Sequence, residues 1–176
     1  MIEALQKVSD EGGNKVKKKQ FVEDTERVIS QYSDMVYRLA FSRTGTREDA
    51  DDVYQEVFYR YLRKHPAFVS EEHQKAWLLR VTINCSNSFL TSPWQKRRAE
   101  LSDDIPFEDE KKQYLYTELR QLPEKYRDVI HLFYYEEMTV EEIGRLLHRK
   151  TSTVRTQLTR AREMLRKVMK ENDYEF

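Results

Sequence analysis

The sequence has few of the residues that build disulfide-linked, loop-rich or membrane-embedded proteins. Its 176 residues include one cysteine, Cys85, four glycines and four prolines. A single cysteine excludes an intrachain disulfide framework and fits a reducing cytosol. No apolar run approaches the about 20 residues that a membrane-spanning helix needs. Residues 1–20 also lack the apolar segment of a signal peptide. We therefore expect a cytoplasmic protein.

Charge of one sign is not in excess either. Lysine plus arginine and aspartate plus glutamate each total 31, so the formal net charge is zero. Any attraction to nucleic acid must therefore come from local segregation of charge. A charged fraction of 35% with so few glycines is typical of a helix-rich, strongly solvated protein.

Residue patterns that carry catalysis or hold a metal are also missing. The four histidines, His65, His73, His131 and His148, are scattered and lack metal-ligand spacing. There is no glycine-rich phosphate loop, and no Ser/His/Asp or Cys/His arrangement can be argued. The sequence therefore predicts no enzyme, no resident metal and no cofactor.

Apolar residues recur at helical spacing along most of the chain, which predicts an all-α protein. Thr46 with Asp49 resembles one helix start, and Ser70 can cap another. An acidic segment of weak periodicity separates two groups of helices and is typical of a linker. We expect two small helical domains joined by a flexible acidic linker, with these bounds: tail 1–20, domain 21–95, linker 96–112, domain 113–170 and tail 171–176.

The second domain contains a helix-turn-helix pattern. Thr139 and Glu142 form a T-x-x-E capping box that opens a short helix through Leu147, and a four-residue turn leads to a helix ending near Lys170. The segment 139–170 carries nine basic and three acidic residues, or +6. An apolar stripe predicts the buried face of the last helix: Val154, Leu158, Ala161 and Leu165.

Arginine and threonine occupy the other faces of that last helix. Arginine can bind guanine edges and phosphates in a major groove, and threonine offers a hydroxyl and a methyl group. The alternative is a solvated basic face on a structural helix. His148 stands in the turn, where a glycine would adopt a positive φ without strain, so the turn must be made at some cost or with different dihedrals.

Carboxylates cluster on the helix of residues 48–64, where Asp49, Asp52 and Glu56 share one face. A divalent metal site is one interpretation, but the sequence has no second carboxylate cluster or histidine array that would supply the remaining ligands. An acidic docking surface for a basic partner is the better functional hypothesis. A solvated helix face is the structural alternative.

The helix that follows combines Trp77 with a stripe of asparagine, serine and threonine and a basic end. Aromatic surface beside amide groups suits unstacked, single-stranded bases. A tryptophan such as Trp77 is more often a core residue than a stacking surface for bases. Asn84 lies two turns after Trp77, so it can meet the edge of an extruded base. Buried instead, Asn84 would satisfy a neighbouring backbone group.

Three segments together resemble the extracytoplasmic-function group of bacterial RNA polymerase sigma factors, in the sigma-70 family. "DADDVYQEVFYRYLR" (49–63) is similar to region 2.2, and "AWLLRVTIN" (76–84) is similar to regions 2.3 and 2.4. The stretch 122–165, which includes "TVEEIGRLLHRKTSTVRTQLTRAREML", is similar to region 4. The segments occur in the family's order, with a linker between them.

The resemblance implies a transcription initiation factor that docks on core RNA polymerase and directs it to promoters. Its partners would be the β′ clamp helices and β flap of the polymerase, promoter DNA and, as a family expectation, an anti-sigma factor. Docking would use Asp49, Asp52, Gln55 and Glu56. Contacts to the −10 element would come from Phe68, Trp77, Arg80, Asn84 and Asn87. Contacts to the −35 element would come from Arg149, Lys150, Thr153, Arg155, Thr156, Thr159 and Arg160.

Two other functions fit parts of the sequence. A stand-alone helix-turn-helix regulator would bind duplex DNA without polymerase, but it would need a dimerisation element, and no heptad run provides one. A helical adaptor with an incidental basic helix would not need the polar, aromatic helix around Trp77.

Overall fold

The computed structural model describes residues 15–64, 66–91 and 118–171, and these residues form helices and short connections without a strand. The prediction of an all-α protein is confirmed. Residues 118–120 are helical and precede the fourth labelled helix. The helices are α1 (Lys15–Thr44), α2 (Arg47–Lys64), α3 (Glu71–Leu90), α4 (Glu124–Tyr134), α5 (Val140–Leu147) and α6 (Thr151–Glu171).

Helices α1 to α3 pack together as an N-terminal unit, which comprises residues 15–64 and 66–91. The backbone N–H of Asp49 donates to Thr46 Oγ1 at 3.2 Å, and that of His73 donates to Ser70 Oγ at 3.2 Å. Both predicted helix starts are confirmed, because each hydroxyl satisfies an otherwise unpaired N–H of the first turn. The buried residues of this unit include Val36, Leu39, Phe41, Val57, Phe58, Leu78 and Leu79.

The start of α1 differs from the expected domain bound. The helix begins at Lys15, six residues before residue 21, so the predicted tail 1–20 overlaps it at 15–20. Residues 1–14 lie outside the described residues, as do the predicted linker 96–112 and the last five positions, 172–176. The predicted tail 171–176 overlaps α6 at Glu171.

Helices α4 to α6, with residues 118–123, form a C-terminal unit. Pro123 directly precedes α4, where its fixed φ and missing N–H cost the helix nothing. Ile143 and Leu146 of α5 face Val154, Leu158 and Ala161 of α6 across a buried core. Burial of the isoleucine, leucine and valine side chains contributes about 1.5–3 kcal/mol each, and this holds the short helix α5 in place.

The two units pack against each other. Helix α1 contacts α4, and α3 contacts α5, and the buried apolar residues of both units form one continuous cluster. The sequence alone predicted two domains but not this contact. Among the described residues, no helix combines the length and apolar character that a membrane span requires.

Candidate nucleic-acid interface

The helix-turn-helix begins with the predicted capping box. Thr139 Oγ1 accepts from the backbone N–H of Glu142 at 3.3 Å, and the Glu142 carboxylate accepts from the N–H of Thr139 at 2.8 Å. The Thr139 hydroxyl also donates to that carboxylate at 2.7 Å. This bond first, and the backbone N–H of Thr139 second, lower the pKa of the Glu142 carboxyl group, because both stabilise its charged form. The box fixes where α5 starts.

The turn between α5 and α6 uses a left-handed residue that is not glycine. His148 has φ 53° and ψ 43°, and its N–H bonds to the Gly144 carbonyl. The next residue, Arg149, donates its N–H to the same carbonyl at 2.9 Å. Of the two alternatives for this turn, the structure shows the first: His148 adopts the left-handed conformation, at some cost, and the turn does not use different dihedrals.

The glycine that this turn requires lies inside α5. A Cβ added at Gly144 would stand 2.9 Å from the carbonyl oxygen of Arg149, closer than real Cβ contacts come. Gly144 therefore lets the chain fold back onto α5 before α6 starts. Gly144 was not singled out in the sequence, although an isolated glycine within a helical pattern can have a packing reason.

Helix α6 presents one buried and one exposed face. Val154, Leu158 and Ala161 are buried, which confirms the predicted stripe, and Leu165 is half-buried. Arg149 is also half-buried. The remaining predicted duplex-contacting residues are exposed along this helix and the residue before it: Lys150, Thr153, Arg155, Thr156, Thr159 and Arg160.

The three arginines of this set have different surroundings. Arg149 donates to Gln157 Oε1 at 3.1 Å and to the Lys125 carbonyl at 3.4 Å, so it ties the start of α6 to α4. Arg155 pairs with Glu141 at 3.2 Å, and both side chains are more than half exposed. Such an exposed pair contributes about 0–1 kcal/mol, so a phosphate or a base can displace it.

Arg160 lies beside Tyr126 of α4. A hydrogen bond with Arg160 is the largest of the interactions that lower the pKa of the Tyr126 phenol. This contact joins the Arg160 side chain of α6 to α4.

The threonine hydroxyls on α6 bond to the helix itself. Thr156 Oγ1 donates to the Ser152 carbonyl at 3.0 Å, and Thr159 Oγ1 donates to the Arg155 carbonyl at 3.1 Å. Each hydroxyl thus has its proton engaged and keeps acceptor capacity for a partner. The exposed face of α6 therefore offers arginine donors and hydroxyl acceptors, a combination that suits base edges and phosphates.

An aromatic cluster lies between the end of α2 and the start of α3. The rings of Phe68 and Tyr61 stack with centroids 6.4 Å apart, and Trp77 meets them edge-on at 5.8 and 6.1 Å. His73 lies against Phe68 at 5.4 Å. Trp77 and Phe68 are half-buried and pack on the core, so the indole has a structural role. Tyr61 and His73 were not singled out in the sequence.

The polar candidates on α3 have two kinds of environment. Asn84 is exposed, which contradicts the alternative of a buried amide that serves the backbone. Asn87 is exposed but its Oδ1 accepts from Arg43 of α1. Arg80 donates to the Arg145 carbonyl at 3.0 Å and lies 3.2 Å from His148 Nε2. Of the five predicted −10 residues, Arg80 thus contacts the C-terminal unit, and Asn87 bonds to Arg43 within the N-terminal unit.

An acidic groove runs along α2 and is lined by Asp51, Asp52, Tyr54, Gln55, Glu56, Tyr59 and Leu62. Asp52 and Gln55 are exposed, and Glu56 accepts from Arg60 at 2.6 Å. The prediction that Asp49 belongs to this docking surface is wrong. Asp49 lies in the first turn of α2 and is only 7% exposed, so it is not part of an open face. Within the described residues, no group of histidine, cysteine or carboxylate side chains could hold a metal ion.

Comparison with protein families gives matches to both halves of the chain. Residues 28–96 match the model described as Sigma-70 region 2, and residues 112–165 match that described as Sigma-70, region 4. The first match contains α2 and α3, and the second contains the helix-turn-helix.

Curated relatives agree with these matches. The chain is 30% identical over 145 residues to the RNA polymerase sigma factor SigV of Bacillus subtilis (strain 168), covering 78% of this chain and 86% of that protein. It is 30% identical over 154 residues to the ECF RNA polymerase sigma factor SigE of Mycolicibacterium smegmatis, covering 80% of this chain and 60% of that longer protein.

Among solved structures, the fold is similar to that of the sigma factor RpoE from Bartonella quintana, which was crystallised with the anti-sigma factor NepR. The TM-score is 0.72 at 18% identity, covering 84% of this chain and 98% of that chain.

Proposed function

Because the chain belongs to the extracytoplasmic-function group of RNA polymerase sigma factors of the sigma-70 family, we propose that it docks on core RNA polymerase and directs it to promoters. The C-terminal unit recognises the −35 element, and the N-terminal unit recognises and melts the −10 element. Sigma factors serve transcription initiation without catalysing a reaction of their own. The chain would work in the cytoplasm, with core polymerase as its platform.

One observation carries this proposal: a single chain has a region 2 match and a region 4 match, and each contains a distinct exposed polar surface. The acidic groove on α2 offers carboxylates to a basic partner, and the exposed face of α6 offers arginines and threonines to DNA. An isolated DNA-binding regulator has no need for the first surface.

We assign the −35 contacts to the exposed face of α6. Arg155 and Arg160 would fork onto guanine edges, and the threonine hydroxyls and methyls would contact neighbouring bases. Arg149 and Lys150, before the helix, would contact phosphates. The N-terminus of α6 adds positive potential for phosphate oxygens.

The −10 contacts are assigned to α3 and the residues before it. Asn84 is exposed and offers a donor and an acceptor to the edge of an extruded base. Phe68 and Trp77 would form the apolar wall of that pocket, while Arg80 and Asn87 would contact the backbone or flanking bases. Capture of a flipped base offsets part of the cost of unstacking the duplex.

Docking on the β′ clamp helices is assigned to Asp52, Gln55 and Glu56, without Asp49. The C-terminal unit would dock on the β flap. An anti-sigma factor is proposed as the regulatory partner, on the basis that the structurally similar RpoE was solved with one.

Run-off transcription tests the proposal. Core polymerase should initiate at a promoter only when the chain is added, and the chain alone should bind duplex DNA weakly. Tight binding to duplex DNA by the chain alone, with no stimulation of transcription, would favour a stand-alone regulator instead.

A further inference from the structure

An ion pair joins the two helices of the helix-turn-helix on their exposed side. Arg155, the fifth residue of α6, donates from Nη2 to Oε1 of Glu141, the second residue of α5, at 3.2 Å. The arginine side chain is 67% exposed and the glutamate side chain is 57% exposed. The pair therefore bridges α5 and α6 on the surface that we assign to the −35 element, outside the buried core.

A carboxylate is an unexpected neighbour for an arginine that contacts DNA. Residues 139–170 carry three acidic side chains. Glu142 is engaged in the capping box, and Glu163 lies about two turns beyond Arg155 along α6. Within the described residues, Glu141 is the carboxylate that bonds to an arginine of the proposed −35 surface. The first helix of a helix-turn-helix crosses the DNA backbone, so a negative charge on it repels phosphates and weakens binding.

The other two arginines of this surface are also held by partners within the C-terminal unit. Arg149 donates to Gln157 Oε1 and to the Lys125 carbonyl. Arg160 forms a hydrogen bond with the phenol of Tyr126. An arginine that is already held loses less conformational freedom when it binds. Arg155 differs from both in that its partner is a carboxylate, which adds a charge as well as a fixed contact.

The bond with Glu141 leaves Arg155 able to bind DNA. A guanidinium has five N–H donors in a rigid, planar fork, and this bond uses a donor of one terminal nitrogen. A guanine edge in the major groove takes two donors. A carboxylate on one side of the fork and a guanine on another side can therefore share the same arginine.

A phosphate and a base make different demands on this pair. An exposed arginine can turn to a phosphate at any sequence, and such contacts carry no sequence information. Turning away from Glu141 breaks a charge-assisted hydrogen bond, whereas a guanine that meets the remaining donors leaves that bond in place. The pair thus weakens the sequence-independent contact more than the sequence-dependent one, and specificity is the difference between the two.

We propose that Glu141 is a positioning residue that makes Arg155 selective for one base pair of the −35 element. This inference rests on the proposed function. Glu141 contacts no base itself. Its carboxylate holds the arginine fork over the major groove and competes with phosphates for it. Its contribution therefore appears as discrimination between promoter sequences, and not as a gain in total affinity.

The test first identifies the base pair that Arg155 contacts. The parent fragment is a promoter that the wild-type chain activates with core polymerase in run-off transcription, and the set contains every single base-pair substitution in its −35 element. Fluorescence anisotropy gives the affinity of the polymerase complex for each labelled fragment. Arg155→Ala should lose discrimination at one position, which marks the base pair that this arginine recognises.

Three further variants separate position from charge. Glu141→Ala removes the bond, and Glu141→Gln keeps an acceptor oxygen at the same distance along the side chain without the charge. Glu163→Ala is the matched control, because it removes an exposed carboxylate from α6 and changes the net charge equally. Because Glu141 is more than half exposed, these changes remove no buried contact. Circular dichroism verifies that each variant keeps its helical content.

The expected result is a loss of discrimination confined to one position. At the base pair recognised by Arg155, Glu141→Ala should lower discrimination by about two- to fivefold, the range of one exposed ion pair. Glu141→Gln should keep part of it, because a neutral acceptor still bonds more weakly. Glu163→Ala should keep all of it, even if its lost charge strengthens binding to every fragment. With Arg155→Ala already present, Glu141→Ala should change discrimination no further.

The outcomes separate this inference from the proposed function. Equal discrimination by the wild type and Glu141→Ala would overturn the inference while run-off transcription still supports the sigma-factor role. An equal loss in Glu163→Ala, or a further loss with Arg155→Ala present, would also overturn it, because charge alone would then act. If Arg155→Ala lost discrimination at no position, Glu141 would hold an arginine that recognises no base, and the inference would fail. A wild-type chain that initiates at no promoter would overturn the proposed function, and this inference with it.

Discussion

Helices α3 and α6 both carry candidate DNA-contacting residues, but these residues differ in solvent exposure and in their contacts with the rest of the protein. The exposed face of α6 points to solvent, and Arg155 engages only an exposed, weak ion pair. On α3, Asn84 is exposed, whereas Arg80 and Asn87 are engaged at the contact between the units. Similar residue types thus differ in availability because of what packs beside them. The surface that we propose for −35 lies on one helix, whereas part of the surface that we propose for −10 lies against the other unit.

The largest expected effect comes from preventing docking on core RNA polymerase, because both proposed DNA-contacting surfaces depend on that docking. Asp52→Lys with Glu56→Lys places two positive charges in the acidic groove, where a basic partner would be repelled. We expect loss of co-purification with core polymerase and loss of transcription from every promoter, with unchanged helical content. Asp24→Lys, an exposed change on α1, is the control. Retained co-purification would contradict the docking assignment, and a divalent ion that stabilises only the wild-type groove would revive the metal interpretation.

The next effect concerns the exposed face of α6. Arg155→Ala or Arg160→Ala should reduce transcription by about five- to 150-fold, since a bidentate arginine–guanine contact is worth roughly 1–3 kcal/mol. The loss should occur at promoters with an intact −35 element and be small at those without one. Glu163→Ala, also exposed on α6, is the matched control. An equal loss on both promoter types would argue against base recognition.

A smaller and later effect is expected on α3. Asn84→Ala should leave closed-complex binding nearly unchanged and reduce open-complex formation by a few-fold to tenfold, as expected for one lost contact of about 1 kcal/mol. Permanganate reactivity of promoter thymines measures the opening. A pre-melted bubble should restore most activity. If the variant unfolds at a markedly lower temperature and the bubble restores nothing, Asn84 is structural.

The smallest expected effect is a dependence on pH of the packing between the two units, which should leave the exposed face of α6 unchanged. Burial acts to raise the pKa of Glu136, but His131 of α4, with Lys75 and Arg38 of the N-terminal unit, outweighs it, and the net pKa is lowered. A lowered pKa contributes stability that is complete above the ordinary value and is lost as the pH falls through the folded-state value. Acidification below pH 4.5, the ordinary pKa of a glutamate carboxyl group, should therefore loosen the packed units while the exposed face of α6 is unaffected.

Small-angle X-ray scattering at decreasing pH measures this response. The radius of gyration of the wild-type chain should rise on acidification, and that of Glu136→Gln should respond less. An equal response in both chains would mean that another group, and not Glu136, controls the transition. Anisotropy with a duplex that carries only the −35 element serves as the comparison for α6.

Local features were predictable from the sequence because they depend on residues close together in the chain. The Thr139–Glu142 capping box, the Ser70 cap and the stripe of Val154, Leu158 and Ala161 all follow from spacing of three or four residues. The function was also predictable from the sequence, because the family resemblance rests on short motifs that occur in a fixed order along the chain. The exposed arginines and threonines of α6 were likewise identifiable, since the helix period assigns them to the face opposite the stripe.

Tertiary structure decided what spacing cannot encode. Asp49 shares a helical face with Asp52 and Glu56 in the sequence, yet it is buried because α2 starts against the rest of its unit. Gly144 matters because the Arg149 carbonyl oxygen returns so close that a Cβ at Gly144 would stand only 2.9 Å from it. Arg43 meets Asp128 and Glu124 across more than 80 positions, and such long-range pairing is set by how two helical units pack. Sequence periodicity determines which face of each helix is apolar, whereas only the packed units determine which polar side chains meet.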